Sequence, residues 1–401
     1  MHIRHRHLKP ITKLGVTYVF LSIGISLAAT IWSVYLNSFL NNISLVGFLT
    51  SLFTVIEVFA YLILIPLIEK TNKAKMFIVS LVFFAISYLL LSVYSNIYVV
   101  IILGILIAIF SSLRVTLAGL VVRDNTEDDS VSKSEGVIYA LLNSAWFVGP
   151  LIAGYLAKVY GFSSVFFFAA VFVLMSIFVF NFFRIKDNRK TKNLDKHIFR
   201  VVIEFFKNRE RTLTYILTLS VSFWWTFIYV YMPIYIVDKG YGALLLGFFL
   251  AGVSVPLIFC DYISGKIANK RGFKKLFFVG FISLGTLAIS CFFISNIYVV
   301  SGLLILASVS VSMIEPTSEA YFLDIIEEDE RDKYYSIYTT SVNVGSLVGS
   351  LPAAALLLFL PFNSLFLYFG IPMIVLAFLA LSIKDSYELD RKKVRSRSKR
   401  K

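Results

Sequence analysis

Hydrophobic and polar positions in this chain alternate as blocks: long, mostly apolar runs recur, separated by short polar stretches. About 20 apolar residues in a helix cross the hydrocarbon core of a bilayer. The chain supplies twelve such runs, at approximately 14–40, 43–68, 76–94, 97–122, 136–158, 163–183, 212–237, 242–264, 276–294, 297–323, 336–358 and 363–383. The pattern predicts an all-α integral membrane protein. One polar stretch, 184–211, is much longer than the rest and separates a six-helix block (1–183) from a second (212–383); a basic tail, 384–401, follows. Within it Ile198, Val202 and Phe205 recur at helical spacing beside Arg200 and Lys207. That spacing predicts a short helix lying on the membrane surface, with an irregular linker as the alternative.

The two blocks are copies of one another. SNIYVV stands at Ser95 to Val100 and again at Ser295 to Val300, and the same shift aligns Lys70 and Lys75 with Lys270 and Lys275. It also aligns the acidic run Asp124, Glu127, Asp128, Asp129 with Asp324, Glu327, Glu328, Asp329. Two blocks running in the same direction predict parallel repeats with a solute site where they meet.

Composition excludes a soluble fold: 58% of residues are hydrophobic and 39 are Phe. The net charge of +14 could suggest nucleic acid, but its placement argues otherwise. Lys158 and Lys239 are the Lys and Arg of one set of alternate loops, Arg114 lies inside a run, and the others stand on the opposite face. That bias predicts cytoplasmic termini and a cytoplasmic 184–211 in a multi-pass plasma-membrane protein, with the basic tail resting on anionic lipid and no nucleic-acid partner. Three of the 4 His fall in the tail MHIRHRH, read as a solvated basic segment, with a metal site as the alternative. No metal and no cofactor are expected, and no phosphate loop, nucleophile elbow or zinc spacing points to an enzyme. Cys260 and Cys291 fall toward opposite ends of neighbouring helices, too far apart to be bridged.

The loop after the eighth run reads Gly265-Lys266-Ile267-Ala268-Asn269-Lys270-Arg271-Gly272-Phe273-Lys274-Lys275. It resembles the G-x-L-A-D-R-x-G-r-K-K loop motif of the major facilitator superfamily, and it falls after the second helix of a half, where that family has it. Asn269 replaces the usual acid. In the first copy Leu67, Glu69, Lys70 and Lys73 match in character, while Ile65 and Asn72 stand where glycine is usual. The resemblance covers nearly the whole chain and implies the twelve-helix fold in two parallel six-helix repeats, working by alternating access as a monomer. It implies gating roles for Glu69, Lys70, Asn269 and Lys270, with Gly265 and Gly272 permitting a tight turn; Asp261, one turn before the motif, is read as a gate partner. Gly149-Pro150-Leu151-Ile152-Ala153-Gly154 is similar to the family's fifth-helix G-P-x-x-G-G, with Gly149, Pro150 and Gly154 read as kink and close packing.

Polar residues inside the runs supply the candidate pathway. Ser22, Ser26, Ala29, Ser33 and Asn37 form a small stripe on helix 1 that serves either packing or a cavity wall. Ser222, Trp225 and Tyr229 share a face of helix 7 and are read as an aromatic wall, since interfacial tryptophans sit at helix ends. Arg114 is deep in helix 4, where an unpaired cation costs roughly 3 kcal/mol on insertion scales. Ser308, Ser312, Glu315 and Glu319 share a face of helix 10, with Pro316 between the acids. Carboxylates one helical turn apart in an apolar setting resist joint ionisation, which is proton-relay chemistry. Arg114 and Glu315 are nearly level across the repeat, so Glu315 is one candidate partner for the arginine, released on protonation while Glu319 exchanges the proton with the cytoplasm. Glu57 of helix 2 is the other. The resulting expectation is proton-coupled export of amphipathic or aromatic organic compounds, with solute and protons as partners. Uptake of a small organic anion clamped by Arg114, and a receptor or scaffold that moves nothing, are the alternatives.

Overall fold

Asparagine and glycine set where many of the helices begin. In the computed structural model, which describes residues 10–124, 131–183, 198–327 and 330–384, Asn96 Oδ1 accepts from the Tyr98 N–H at 2.9 Å and Asn296 Oδ1 accepts from the Tyr298 N–H at 2.9 Å. The repeated SNIYVV is therefore a repeated helix cap. Asn72 caps its helix through the Lys75 N–H, and Asn208 caps another through the N–H groups of Glu210 and Arg211. Gly161 (φ 82°, ψ 173°) and Gly272 (φ 82°, ψ 161°) instead begin helices in a backbone region that is essentially glycine-only.

The elements in order are α1 Pro10–Leu40, α2 Ile43–Lys70, α3 Lys73–Val93, α4 Ile97–Asp124, α5 Val131–Tyr160, α6 Phe162–Phe182, α7 Ile198–Lys207, α8 Arg209–Thr226, α9 Met232–Asp238, α10 Gly242–Arg271, α11 Phe273–Phe292, α12 Ile297–Ile325, α13 Arg331–Leu356 and α14 Ser364–Ala380. A π turn, Phe227–Tyr231, joins α8 to α9 into one rod. Among the described residues, 9 spans are long and apolar enough to cross a membrane: α1 to α4, α6, the α8–α9 rod, α10, α11 and α12. The other three expected runs are α5, α13 and α14. α14 is apolar but only 17 residues long, and α13 opens on the polar run RDKYYSIYTTSVN.

Within each copy the helices pair alike: α3 packs on α4 and α6, α1 on α5 and α6, and correspondingly α11 on α12 and α14, α8 on α13 and α14. Of the described residues, those in Met1–Asn41, Leu52–Asn193 and Val237–Ala251 form one compact unit, and those in Asn42–Ser51, Leu194–Ile236 and Gly252–Lys401 the other. The unit boundaries thus run through α2 and α10 and do not follow the repeat. Small residues explain this. In the second unit Ser44 Oγ donates to the Ala354 carbonyl at 2.6 Å, Ser51 Oγ donates to Ser350 Oγ at 2.8 Å, and Gly47 lies against Ala354 and the Tyr231 hydroxyl. In the first, Gly247 of α10 sits on Gly154 of α5: a Cβ on Gly247 would come within 2.5 Å of the Pro150 carbonyl oxygen. Gly247→Val should therefore lower stability by roughly 1–3 kcal/mol through overpacking, read as a lower melting temperature in detergent; an unchanged melting temperature would mean that α5 and α10 can separate freely.

The short helix expected within the polar stretch is α7, and one side of it packs on its neighbours. Val201 and Phe205 of α7 are buried with Tyr215, Phe322, Ile326, Tyr334, Ile337 and Tyr338, so its apolar face is covered by α8, α12 and α13. Val202 is half-buried against the same cluster, while Ile203 and Phe206 stay exposed. Lys333 Nζ meets Glu204 Oε2 at 2.8 Å, and the Arg211 guanidinium lies 4.0 Å from the Tyr334 ring centre. The bond to Lys333 holds the Glu204 carboxyl below its usual value, and that to Glu204 holds the Lys333 ammonium above its own. The Glu204 contribution is present above the ordinary carboxylate range and fades as pH falls through the lowered value; that of Lys333 fades only as pH rises through the raised one. The pair thus persists across neutral pH. Glu210 completes this end, accepting from Tyr321 Oη at 3.0 Å and pairing with Lys384 Nζ at 3.0 Å. Residues 184–197, 385–401, the N-terminal histidines and the acidic residues 127–129 and 328–329 lie outside the described residues.

Candidate functional site

Among the described residues, each unit holds ionisable side chains within its membrane-spanning helices. In the first, Arg114 of α4 is half-buried, its Nε has no hydrogen-bond partner, and its guanidinium lies 5.6 Å from the Phe84 ring centre. Tyr88, Glu57 and Tyr18 are the groups that act on it electrostatically. Glu57, which has Ser111 within hydrogen-bonding reach, is thus an acid beside Arg114 inside the unit. Tyr18 donates its hydroxyl to the Ala118 carbonyl of α4 at 3.0 Å, and its ring meets Phe77 edge-on at 6.0 Å.

In the second unit, Glu315 lies midway along the apolar α12 and is exposed. Facing hydrocarbon would cost an ionised side chain at such a position roughly 3 kcal/mol on insertion scales. Trp225 of α8 donates its indole N–H to both carboxylate oxygens, at 3.4 and 3.3 Å. The Tyr229 ring lies 5.7 Å from that of Trp225 and is tilted by 45°. One turn along, Glu319 accepts from Tyr335 Oη at 2.7 Å. Thr218 donates to Tyr338 Oη at 3.0 Å on the same side of α8, and Ser222 is buried.

Tyr229 stands in the π turn, whose Met232 N–H reaches back to the Phe227 carbonyl. Pro233 accounts for the turn: its ring would clash with the carbonyl four residues earlier, that of Tyr229, and widening the backbone by one residue relieves this. The turn resets the rotation of the rod, so the face of Ser222 and Trp225 is not continued regularly beyond it. Pro352 in α13 leaves the Val348 carbonyl without its helical donor, and the Tyr368 hydroxyl supplies one.

The remaining expected site residues are scattered. On helix 1 the stripe mostly packs: Ser22, Ser26 and Ser33 are buried, and Ser26 Oγ donates to the Ala145 carbonyl of α5 at 3.2 Å. Asn37, at its end, donates to Asp238 Oδ1 at 3.1 Å, a partner that sequence reasoning did not single out. Gly149 lies against Ser26, and Pro150 and Gly154 carry the α10 contact. Gly265 lies inside α10, with open space where a Cβ would go; the helix runs on to Arg271, and the turn is made by Gly272 alone. Asp261 is half-buried and Lys270 exposed; the side chains of Glu69, Lys70 and Asn269 lie outside the described residues. Cys260 and Cys291 are both free.

A family model described as Major Facilitator Superfamily matches residues 14–301 and 256–401. The chain belongs to the major facilitator superfamily. An uncharacterized MFS-type transporter of Methanocaldococcus jannaschii is 24% identical over 284 residues, covering 69% of this chain and 72% of that protein. Membership in this transporter family, together with the apolar helices, makes the chain a multi-pass membrane protein whose partner is a solute. Glu57, Arg114, Glu315 and Glu319 are thus ionisable groups within the helices of a superfamily member.

Proposed function

We propose that this superfamily member exports amphipathic or aromatic organic compounds by alternating access, driven by exchange for protons, with Glu315 as the proton site. The observation that carries the reading is the exposed Glu315 in an apolar helix, held by an indole N–H that binds it in either protonation state. Glu319, one turn on and bonded to Tyr335, is its route toward the more basic face. Ser222, Trp225 and Tyr229 form the wall against which the solute body rests. Glu69, Lys70, Asp261, Asn269, Lys270 and the Gly272 turn serve as the gate between states, and the monomer is the working unit. A ligand drives such a cycle only through its differential affinity for the two states. In proteoliposomes, an imposed pH gradient should drive accumulation of an aryl solute, and its collapse by a protonophore should release the solute; accumulation indifferent to both would rule out proton coupling.

The same reading places both termini and residues 184–211 in the cytoplasm of a plasma-membrane protein, on the strength of the charge bias. In a Cys260→Ala/Cys291→Ala background, single cysteines at Lys158 and Lys239 should react with an impermeant maleimide added to intact cells, and one at Lys192 should not. Labelling at position 192 from outside would reverse the orientation.

Arg114 supports a second reading, uptake of a small organic anion, because it is a cation inside the helices whose buried Nε has no hydrogen-bond partner. It is told apart by cargo charge: carboxylate uptake lost in Arg114→Gln and kept in Glu315→Gln would favour it.

A further inference from the structure

The two acids on α12 are held differently. Glu319 takes a short bond from Tyr335 Oη, 2.7 Å, which anchors it to α13. Among the described residues, Glu315 is bonded by one donor, the Trp225 indole, shared between both oxygens at 3.4 and 3.3 Å. A carboxylate accepts about four hydrogen bonds, so Glu315 keeps most of its capacity. It is exposed, and beside it Trp225 and Tyr229 are each only half-buried, so both rings leave part of their surface open. The charge one turn away, on Glu319, is of the same sign and deepens the negative potential at Glu315. Tyr229 from the π turn also acts electrostatically with Glu315. From α11, whose Gly280 packs on Met313 and Ile314, the cationic groups are Lys274 and Lys275, at the start of that helix.

A carboxylate with spare acceptor capacity, backed by a second acid and flanked by two open aromatic rings, is complementary to one kind of solute. Negative potential and ring faces both attract positive charge, while the rings give an apolar body somewhere to rest. We infer that Glu315, Trp225 and Tyr229 form a binding site for a hydrophobic organic cation, which occupies Glu315 in exclusive competition with the proton. The inference rests on the proposed role of Glu315 and adds the charge of the cargo: one carboxylate site, exchanging one proton for one monovalent cation.

The test is equilibrium binding to the purified full chain in detergent, with no gradient present. Tetraphenylphosphonium, tetraphenylborate and triphenylphosphine oxide share an aryl body and carry positive, negative and no charge. The cation should bind at least about tenfold more tightly than the other two, and its Kd should rise toward a limit of about tenfold per unit fall in pH, as one-site competition requires. In Glu315→Gln the cation should lose at least about tenfold in affinity together with its pH dependence, and Trp225→Leu should weaken it with the pH dependence retained. Charge selectivity is read on the unaltered protein and does not depend on a variant folding. Equal binding of the three probes, no binding of the cation, or cation binding unchanged in Glu315→Gln would overturn the inference. Its failure is separable from that of proton coupling. pH-competitive cation binding without gradient-driven accumulation supports the site and sinks the coupling. Glu315-dependent accumulation of the uncharged probe without cation preference does the reverse.

Discussion

Glu315→Gln should abolish proton-driven accumulation, reducing the steady-state ratio in proteoliposomes by at least about tenfold, while downhill exchange persists at solute concentrations high enough to fill the weakened site. Glutamine has the shape of the protonated acid, and its side-chain carbonyl can still accept from the Trp225 indole, so packing around α12 should survive. What disappears is the ability to alternate between a charged and a neutral form, and with it the differential that links proton and solute. Glu319→Gln should be milder, because the Tyr335 hydroxyl can bond an amide oxygen as well as a carboxylate. If both variants accumulate solute as the unaltered protein does, with unchanged pH dependence, the α12 acids are structural and coupling must be sought at Glu57 or Asp261.

Gly272→Val should cripple transport while leaving solute affinity in detergent within a few-fold. Gly272 begins α11 at φ 82° and ψ 161°, a backbone region that side chains with a Cβ essentially do not enter. A β-branched residue there must swing the backbone to negative φ, re-aiming the first turn of α11 and with it Lys274 and Lys275. The solute wall on α8 and α12 does not contain this turn, so the defect should appear in the rate of interconversion and not in binding. Gly265→Ala is the contrast: that position is helical with open space around it, and removing a mid-helix glycine should stabilise by roughly 0.5–1 kcal/mol. Collapse of affinity in Gly272→Val with normal cycling of bound solute would refute the gate role.

The duplicated loops illustrate what could be read in advance. Asn72 stands where the motif has glycine, and the structure shows an ordinary cap there, with φ −73° and a side-chain bond to the Lys75 N–H. The first copy therefore needs no glycine and the second does. The sequence suggested a glycine pair at 265 and 272, because motif spacing does not reveal that α10 continues for six more residues past Gly265, to Arg271. In the same way, the 3.6-residue spacing of α7 reported an apolar face but not what would cover it. Pro233 signalled a disturbance in the α8–α9 rod without saying that a π turn would absorb it.

The solvent made the broad outline legible from sequence alone. In hydrocarbon every backbone polar group must be satisfied within its own helix, so each span had to appear as a long apolar run with polar breaks, and the repeat and the family motif followed from the same string. Polar pairings inside the bundle obey no such local rule. Trp225 and Glu315 are 90 residues apart in the chain, and Asn37 and Asp238 are 201 apart. Their meeting depends on how each helix is rotated and how far it slides along its neighbours. A change of one residue in register turns a side chain by roughly 100°, and small-residue contacts such as Gly247 on Gly154, or a π turn at Pro233, set that register. Only the packed structure decides which acid receives the Trp225 indole and which the Tyr335 hydroxyl.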